Sequence, residues 1–562
     1  METDFLRQEA AARGIDLRIA ASFPTDTALA QDRPHDAIII GALQARHTVA
    51  LGEPRHHNND PSLVYTDAAR RLMTHLRAVS TAPILLDALP EPTLQPLGFA
   101  DRGPHSHRNR FRYTNLQLEC LAEEFPDVYV IDVPGTLALA GVGTLLDDGL
   151  TSFTHFGSPG WMLQRPEPER LAVHNLFPDP QPLADTLGGN PYGRETVMSR
   201  AHMDTLTVVL GLDRKKCVIV DLDGVLWPGV LAETGAPFAW SPEVSSPHSY
   251  VGLYFGVHEA LLALKQRGLL LACVSKNDES TIRQLWRYPP HYPHHRLLTP
   301  DSFVTHRINW QDKALNIRSI MDELGFADDT FVFIDDSARE RERIRQSLPD
   351  IAILGDDLFS LRRTLLTDPR LQPLRITPET AARTELVRAQ LERSRLRAEL
   401  PDEASFLASL AIIRTVEQLT DPTDATTLER VRELFERTTQ YNTTGIKFST
   451  AELRALLATP ESRLYVLRMR DRLTDHGLVG VAAIVNSEIV NFVLSCRVIG
   501  LHGESALLDR ILQDASIPLH ARIVPTNRNL PVRNLYRDHG FTEQAPGTWL
   551  SRDRRKMGQE RG

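Results

Sequence analysis

Two carboxylates one residue apart, Asp221 and Asp223, close the apolar run Cys217-Val-Ile-Val-Asp221. Held that close at the mouth of a buried strand, they repel unless a proton or a cation resolves the charge. Magnesium does so, because it accepts carboxylate and backbone oxygen while keeping water and substrate phosphate in its shell. Asp221 can then attack phosphorus in line to give an aspartyl-phosphate, with Asp223 acting as general acid and then as base. Taken alone, an Asp-x-Asp pair equally fits a turn with two solvated aspartates.

Three further signals keep this pair company. Ser275 ends the next apolar run, inside Val274-Ser-Lys-Asn-Asp278, where its hydroxyl and the following amide of Lys276 can hold a phosphoryl oxygen. A serine at a strand end is otherwise an ordinary helix cap. Lys313, in Ile308-Asn-Trp-Gln-Asp-Lys313, can neutralise the nucleophile and the transferring group. By itself it reads as a surface lysine. Asp335 and Asp336 follow the run Phe331-Val-Phe-Ile334, where a carboxylate completes a metal site. Four ordered signals, each at a strand end or helix start, are hard to obtain by chance. The expected phosphate ligands are therefore Ser275, Lys276 and Lys313, and the expected Mg2+ ligands are Asp221, Asp223, Asp335 and Asp336.

The elements that position these residues fall into blocks. Residues 1–200 alternate apolar runs (Leu17–Ser22, Ala37–Leu43, Ala82–Leu86, Val128–Val133) with amphipathic segments, which predicts a helix-covered parallel sheet. A Pro/Gly-rich stretch, Phe177–Arg194, reads as a linker or an irregular excursion. Residues 210–375 hold three fully apolar strands with polar C-terminal tips, as a buried parallel sheet with a site at its strand ends requires. Residues 376–400 form an Arg/Glu-rich helical connector. Residues 401–562 predict strands near Leu464–Leu467, Val479–Val485 and Glu488–Leu494, and helices near Gly503–Asp514 and Val532–His539. The expected fold class is α/β and multidomain.

Asp221-x-Asp, Ser275, Lys313 and Asp335-Asp336 resemble the four motifs of the haloacid-dehalogenase (HAD) superfamily. That resemblance implies Asp221 as nucleophile and Asp223 as acid/base, with the Asp223 backbone carbonyl also on magnesium. The stretches Asp221–Glu233, Val274–Asp278, His306–Trp310 and Phe331–Ser337 are similar to its FkbH-like subfamily. In the third block, Thr438–Asn442, Leu494–Gly500 and Asn529–Phe541 resemble the same subfamily's acyltransferase-like tail. The subfamily implies a three-carbon unit drawn from 1,3-bisphosphoglycerate, dephosphorylated, and placed as glyceryl on the phosphopantetheine arm of an acyl carrier protein. The interval from Asp221 to Ser275 is too short for a large independent cap, which suits a tethered substrate.

The chain also departs from that pattern. Some relatives carry a cysteine between the two aspartates, and many carry Asn after them; here these are Leu222 and Gly224. Leu222 cannot carry a thioester, so Cys496, with Arg497 or His502 to activate it, is the remaining thiol candidate. Its alternative is a small core residue, the reading also given to Cys273. The third block resembles N-acetyltransferase (GNAT) folds through Asn529, Tyr536 and Gly540-Phe541. His502 would crowd a diphosphate in its loop, so a carrier's pantetheine arm is the better-suited ligand. The first block resembles an SGNH-hydrolase-type domain through Ser22, Gly41 and Asn115. It offers no convincing Asp-x-x-His, and His155 and His174 have the wrong local context for one, so a structural or docking role is expected. His105-Ser-His107 and His291–His295 read as solvated loops. The connector Arg383–Glu399 reads as a solvated ion-paired helix, with a docking face for an acidic carrier as the alternative.

Bulk properties exclude other classes. A net charge of −9 without a basic, aromatic-interleaved stripe argues against nucleic acid. Four scattered cysteines without a CxxC pair argue against a disulfide framework or zinc, and fit a cytoplasmic protein. No apolar run long enough to span a membrane is present. The readings left open are a carrier-loading phosphatase, a small-molecule phosphatase without a carrier, and an idle carrier-binding scaffold.

Overall fold

The computed structural model describes residues 2–21, 35–41, 61–93, 97–125, 127–145, 193–234, 251–287 and 297–551. Ser22, His155, His174, His291–His295 and positions 177–192 lie outside them. The chain divides into two compact units, Met1–Leu212 and Asp213–Gly562. No helix among the described residues is long and apolar enough to cross a membrane.

In the first unit, β1 (Ile38–Ile40), β2 (Ile84–Asp87) and β3 (Val128–Ile131) form a parallel sheet in the order β1-β2-β3. The helices Pro61–Val79 and His107–Glu124 bury Tyr65, Met73 and Leu118 against it. In the run Leu17–Ser22, where a strand is expected, residues 17–21 make no strand pairing among the described residues. Alternating apolar character cannot make a strand where no neighbouring backbone supplies the ladder. Gly41 follows β1, and Asn115 is tied to both backbone groups of Leu89. Asp87 at the tip of β2 is hydrogen-bonded to buried His202 at 2.9 Å.

The second unit carries two sheets. The one nearer its start is all parallel, in the order β6-β5-β4-β7-β8, built from β4 (Cys217–Val220), β5 (Leu270–Ser275), β6 (Thr305–Ile308), β7 (Phe331–Ile334) and β8 (Ala352–Leu354). Because successive side chains face opposite ways, both faces of these strands can be apolar only if both are covered. They are: Val218, Val220, Leu271 and Cys273 pack with Val257 and Leu361, whereas Cys217, Ile219, Leu270 and Phe333 pack with Ile317 and Ile344. Burial of each such side chain contributes about 1.5–3 kcal/mol. Cys273 is thus a core residue. All five strands end on one edge, and that edge carries the polar tips.

The other sheet is mainly antiparallel, in the order β14-β15-β13-β12-β11-β10-β9. It comprises β9 (Ile413–Leu419), β10 (Ser462–Arg470), β11 (Asp475–Val485), β12 (Glu488–Leu494), β13 (His520–Arg522), β14 (Thr542–Ala545) and β15 (Thr548–Leu550). The parallel strands β12 and β13 pair only at Glu488–Ile489. Beyond that point the segment Tyr441–Thr443 enters between them, bonding Leu494 and Phe492 on one side and Val524 on the other. The expected helix at Val532–His539 is reduced to a 3₁₀ turn, Leu530–Val532, and a short helix, Leu535–Asp538. Tyr536 is wholly buried, and Asn529 bonds the carbonyls of Asn442 and Val524.

The connector helix Arg383–Glu399 has the expected exposed ion-paired side, where Arg395 meets Glu323 and Arg397 meets Glu403, but its other side is a strut. Arg388 donates to the carbonyls of Pro300 and Phe303, Arg383 to that of Gly268, and Arg393 to Asp471 at 3.0 Å. Arg393 and Asp471 are 5% and 0% exposed, with His476 3.0 Å from the same carboxylate oxygen. Removing one partner of such a buried pair strands the other charge in low dielectric. Arg393→Ala should therefore destabilise the second unit by about 3–5 kcal/mol in denaturant unfolding followed by circular dichroism.

Candidate active site

The candidate site is assembled from four strand ends. Asp221 follows β4, Ser275 ends β5, Asp335 and Asp336 follow β7, and Lys313 opens the helix Lys313–Leu324 after β6. Lys313 sits where the helix dipole disfavours a cation. Its ammonium is offset by two carboxylates: Nζ lies 2.7 Å from Asp221 Oδ2 and 2.6 Å from Asp335 Oδ2. All three side chains are essentially buried. Asp312 caps the helix by accepting from the Ala314 amide, and Asn309 and Asn316 bond each other across the approach to it.

Asp221, Asp335 and Asp336 present oxygens that all lie within 4.8 Å of one another, the first two buried and Asp336 exposed. Three carboxylates against one ammonium leave the cluster anionic. Burial pushes the Asp221 carboxyl up, to about 7, against the opposing pull of Lys313 and with a further push from Asp335. Asp336 is also raised, by burial and by Asp335. An all-oxygen, net-negative set open on one side is what a hard divalent cation takes up. Arg341 braces this turn, donating to the carbonyls of Asp335, Asp336 and Gly355 at 2.9, 2.8 and 3.1 Å. Gly355, at φ 103°, lets the Asp335 backbone pass where a Cβ would stand 2.4 Å from its carbonyl oxygen.

The Asp223 carboxylate is not part of that three-carboxylate group and is held by donors. Its Oδ1 accepts from Trp227 Nε1 at 2.7 Å and from the Leu231 amide at 3.2 Å; its Oδ2 accepts from Asn277 Nδ2 at 2.9 Å. Lys276, whose backbone amide is the expected phosphate donor, pairs its side-chain ammonium with Glu340 Oε1 at 2.8 Å on the helix Ala338–Ser347. Cys496 lies exposed in the 3₁₀ turn Cys496–Val498 after β12 and is not part of the carboxylate cluster. Neighbouring Arg497 bonds the His476 carbonyl, and His502 takes a left-handed conformation before the helix Gly503–Asp514.

Asn277, Trp227, Glu340 and Arg341 are the site residues that sequence reasoning did not single out. Asn277 and Trp227 lie inside the motif stretches, but only the closed loop shows what they touch.

No protein-family model and no curated protein matches the chain. Among solved structures, it is similar to the N-terminal part of BF1531 from Bacteroides fragilis, which contains a phosphatase domain and was crystallised with Mg. That match has 19% identity, covers 65% of this chain and 90% of that one, and has a TM-score of 0.48. It is also similar to 3-deoxy-D-manno-octulosonate 8-phosphate phosphatase from Moraxella catarrhalis, bound to magnesium, phosphate and KDO. There the identity is 18%, the coverage 28% and 87%, and the TM-score 0.18. Overlaps of this size do not assign an activity.

Two outcomes follow from the geometry. A Cβ on Gly224 (φ 71°) would lie 2.1 Å from Asp336 Oδ2, so Gly224→Ala must displace that carboxylate. Its affinity for a divalent cation should fall roughly 10- to 100-fold by isothermal titration calorimetry with magnesium chloride. The raised Asp221 carboxyl favours the protonated folded state. The stability this confers is full below the ordinary carboxylate value and lost as pH rises through about 7. In chelator, the melting temperature of the wild type should therefore fall relative to Asp221→Asn between about pH 4 and pH 7.

Proposed function

We propose that the protein is a magnesium-dependent phosphatase that works through an aspartyl-phosphate. The observation that carries this reading is the convergence of Asp221, Lys313, Asp335 and Asp336 on one strand edge, beside Ser275 and Asp223. Asp221, Asp335 and Asp336 would hold the ion, which when bound neutralises phosphoryl charge.

The chain's own residues account for the remaining steps. An Asp221 carboxylate oxygen forms a bond to phosphorus while the bond to the leaving oxygen breaks, and Asp223 delivers a proton to that oxygen. Water then attacks the aspartyl-phosphate, Asp223 takes its proton, and inorganic phosphate leaves with Asp221 restored. Ser275 and Lys313 hold the phosphoryl oxygens throughout.

The finer reading is that the substrate is a phosphorylated three-carbon acyl unit and that the product is placed as glyceryl on an acyl carrier protein. The FkbH-like motif stretches and the short interval between Asp221 and Ser275 support it. Incubation with Mg2+, 1,3-bisphosphoglycerate and a phosphopantetheinylated carrier should give a glyceryl adduct by intact-protein mass spectrometry. Phosphate release without an adduct would leave a phosphatase that needs no carrier. Cys496→Ala separates the thiol question, since unchanged loading removes Cys496 from the mechanism. Asp221→Asn should lower phosphate release by roughly 10³-fold or more; release at the wild-type rate would refute the nucleophile assignment.

A further inference from the structure

Asn277 is 3% exposed, and its side-chain nitrogen touches two functional groups. Nδ2 lies 2.9 Å from Asp223 Oδ2 and 2.9 Å from Ser275 Oγ. An amide nitrogen carries two hydrogens and accepts nothing, so both contacts are donations. We infer that Asn277 is a positioning residue that fixes the general acid Asp223 and the phosphate-binding hydroxyl of Ser275 in one geometry, an inference that rests on the phosphatase reading above.

Two consequences follow from donor counting. Because Ser275 Oγ accepts from Asn277, its own hydrogen is turned elsewhere and is available to a phosphoryl oxygen. On Asp223, Oδ1 already accepts from Trp227 Nε1 and the Leu231 amide, whereas Oδ2 accepts from Asn277 alone. Among the described residues Oδ1 is saturated and Oδ2 keeps a lone pair. The proton delivered to the leaving oxygen therefore resides on Oδ2, the atom that Asn277 orients. Trp227 is fully buried, which fixes the opposite oxygen from the other side.

A residue that aims the acid matters most when the leaving group needs a proton. An alkoxide does; p-nitrophenolate leaves without one. The test compares kcat/KM, with Mg2+ present, for p-nitrophenyl phosphate and for the phosphate ester of a primary alcohol. This parameter reports the steps through leaving-group departure and is blind to hydrolysis of the aspartyl-phosphate. Asn277→Ala should lower the alkyl value at least about tenfold more than the aryl value, part of the usual general-acid contribution. Trp227→Phe, which keeps an aromatic ring while losing the indole donor and part of the buried ring volume, should show the same selectivity and serves if Asn277→Ala fails to fold. Equal losses on both substrates in a folded variant would overturn the assignment of Asn277 alone. A wild-type protein that cleaves neither ester would overturn the phosphatase reading and this inference together.

Discussion

The arrangement at the candidate site depends on one contact, the Lys313 ammonium held between Asp221 and Asp335. Three charges out of water are tolerated only when geometry is close and the remaining polar atoms are satisfied. Lys313 therefore requires that the ends of β4 and β7 stay adjacent and that its own helix begin at that point. The parallel register of β4 on β7, with Val220 opposite Ile334, supplies the first condition. The Asp312 cap supplies the second. Ser337 and Arg341 then secure the Asp335 turn through its carboxylate and its carbonyl.

Much of this was legible in the sequence because the sheet is buried on both faces. Val-Ile-Val before Asp221 and Phe-Val-Phe-Ile before Asp335 are uninterrupted apolar runs, so the first polar residue marks the strand end. In a doubly covered parallel sheet all such ends share one edge. What stayed hidden depends on long-range closure. The Asn277 amide reaches Asp223 only because β5 lies beside β4, and Lys276 next to it turns to Glu340, which no spacing rule announces. The charges of Arg383–Glu399 read as solvated because alternating signs look alike whether the partners are side chains or backbone carbonyls. Arg388 and Arg393 found the latter and a buried carboxylate. Residues 17–21 failed for the opposite reason: local pattern without a neighbouring strand among the described residues.

The second unit contains another buried ionic group, and the comparison decides what kind of site the first one is. Arg393 and Asp471 balance each other, and burial lowers the His476 pKa. That network is closed to solvent and electrically complete, as a group that only joins a helix to a hairpin should be. The cluster at Asp221 is neither. Three carboxylates face one ammonium, Asp336 opens to solvent, and the Asp221 carboxyl is pushed up to about 7 rather than settled by Lys313. A fold retains unresolved charge at a strand edge when something absent from the chain completes it. On the phosphatase reading proposed above, a divalent cation and the phosphoryl group it accompanies would meet that requirement together, and Asp223, held by its three donors, would carry the proton that neither of them can supply.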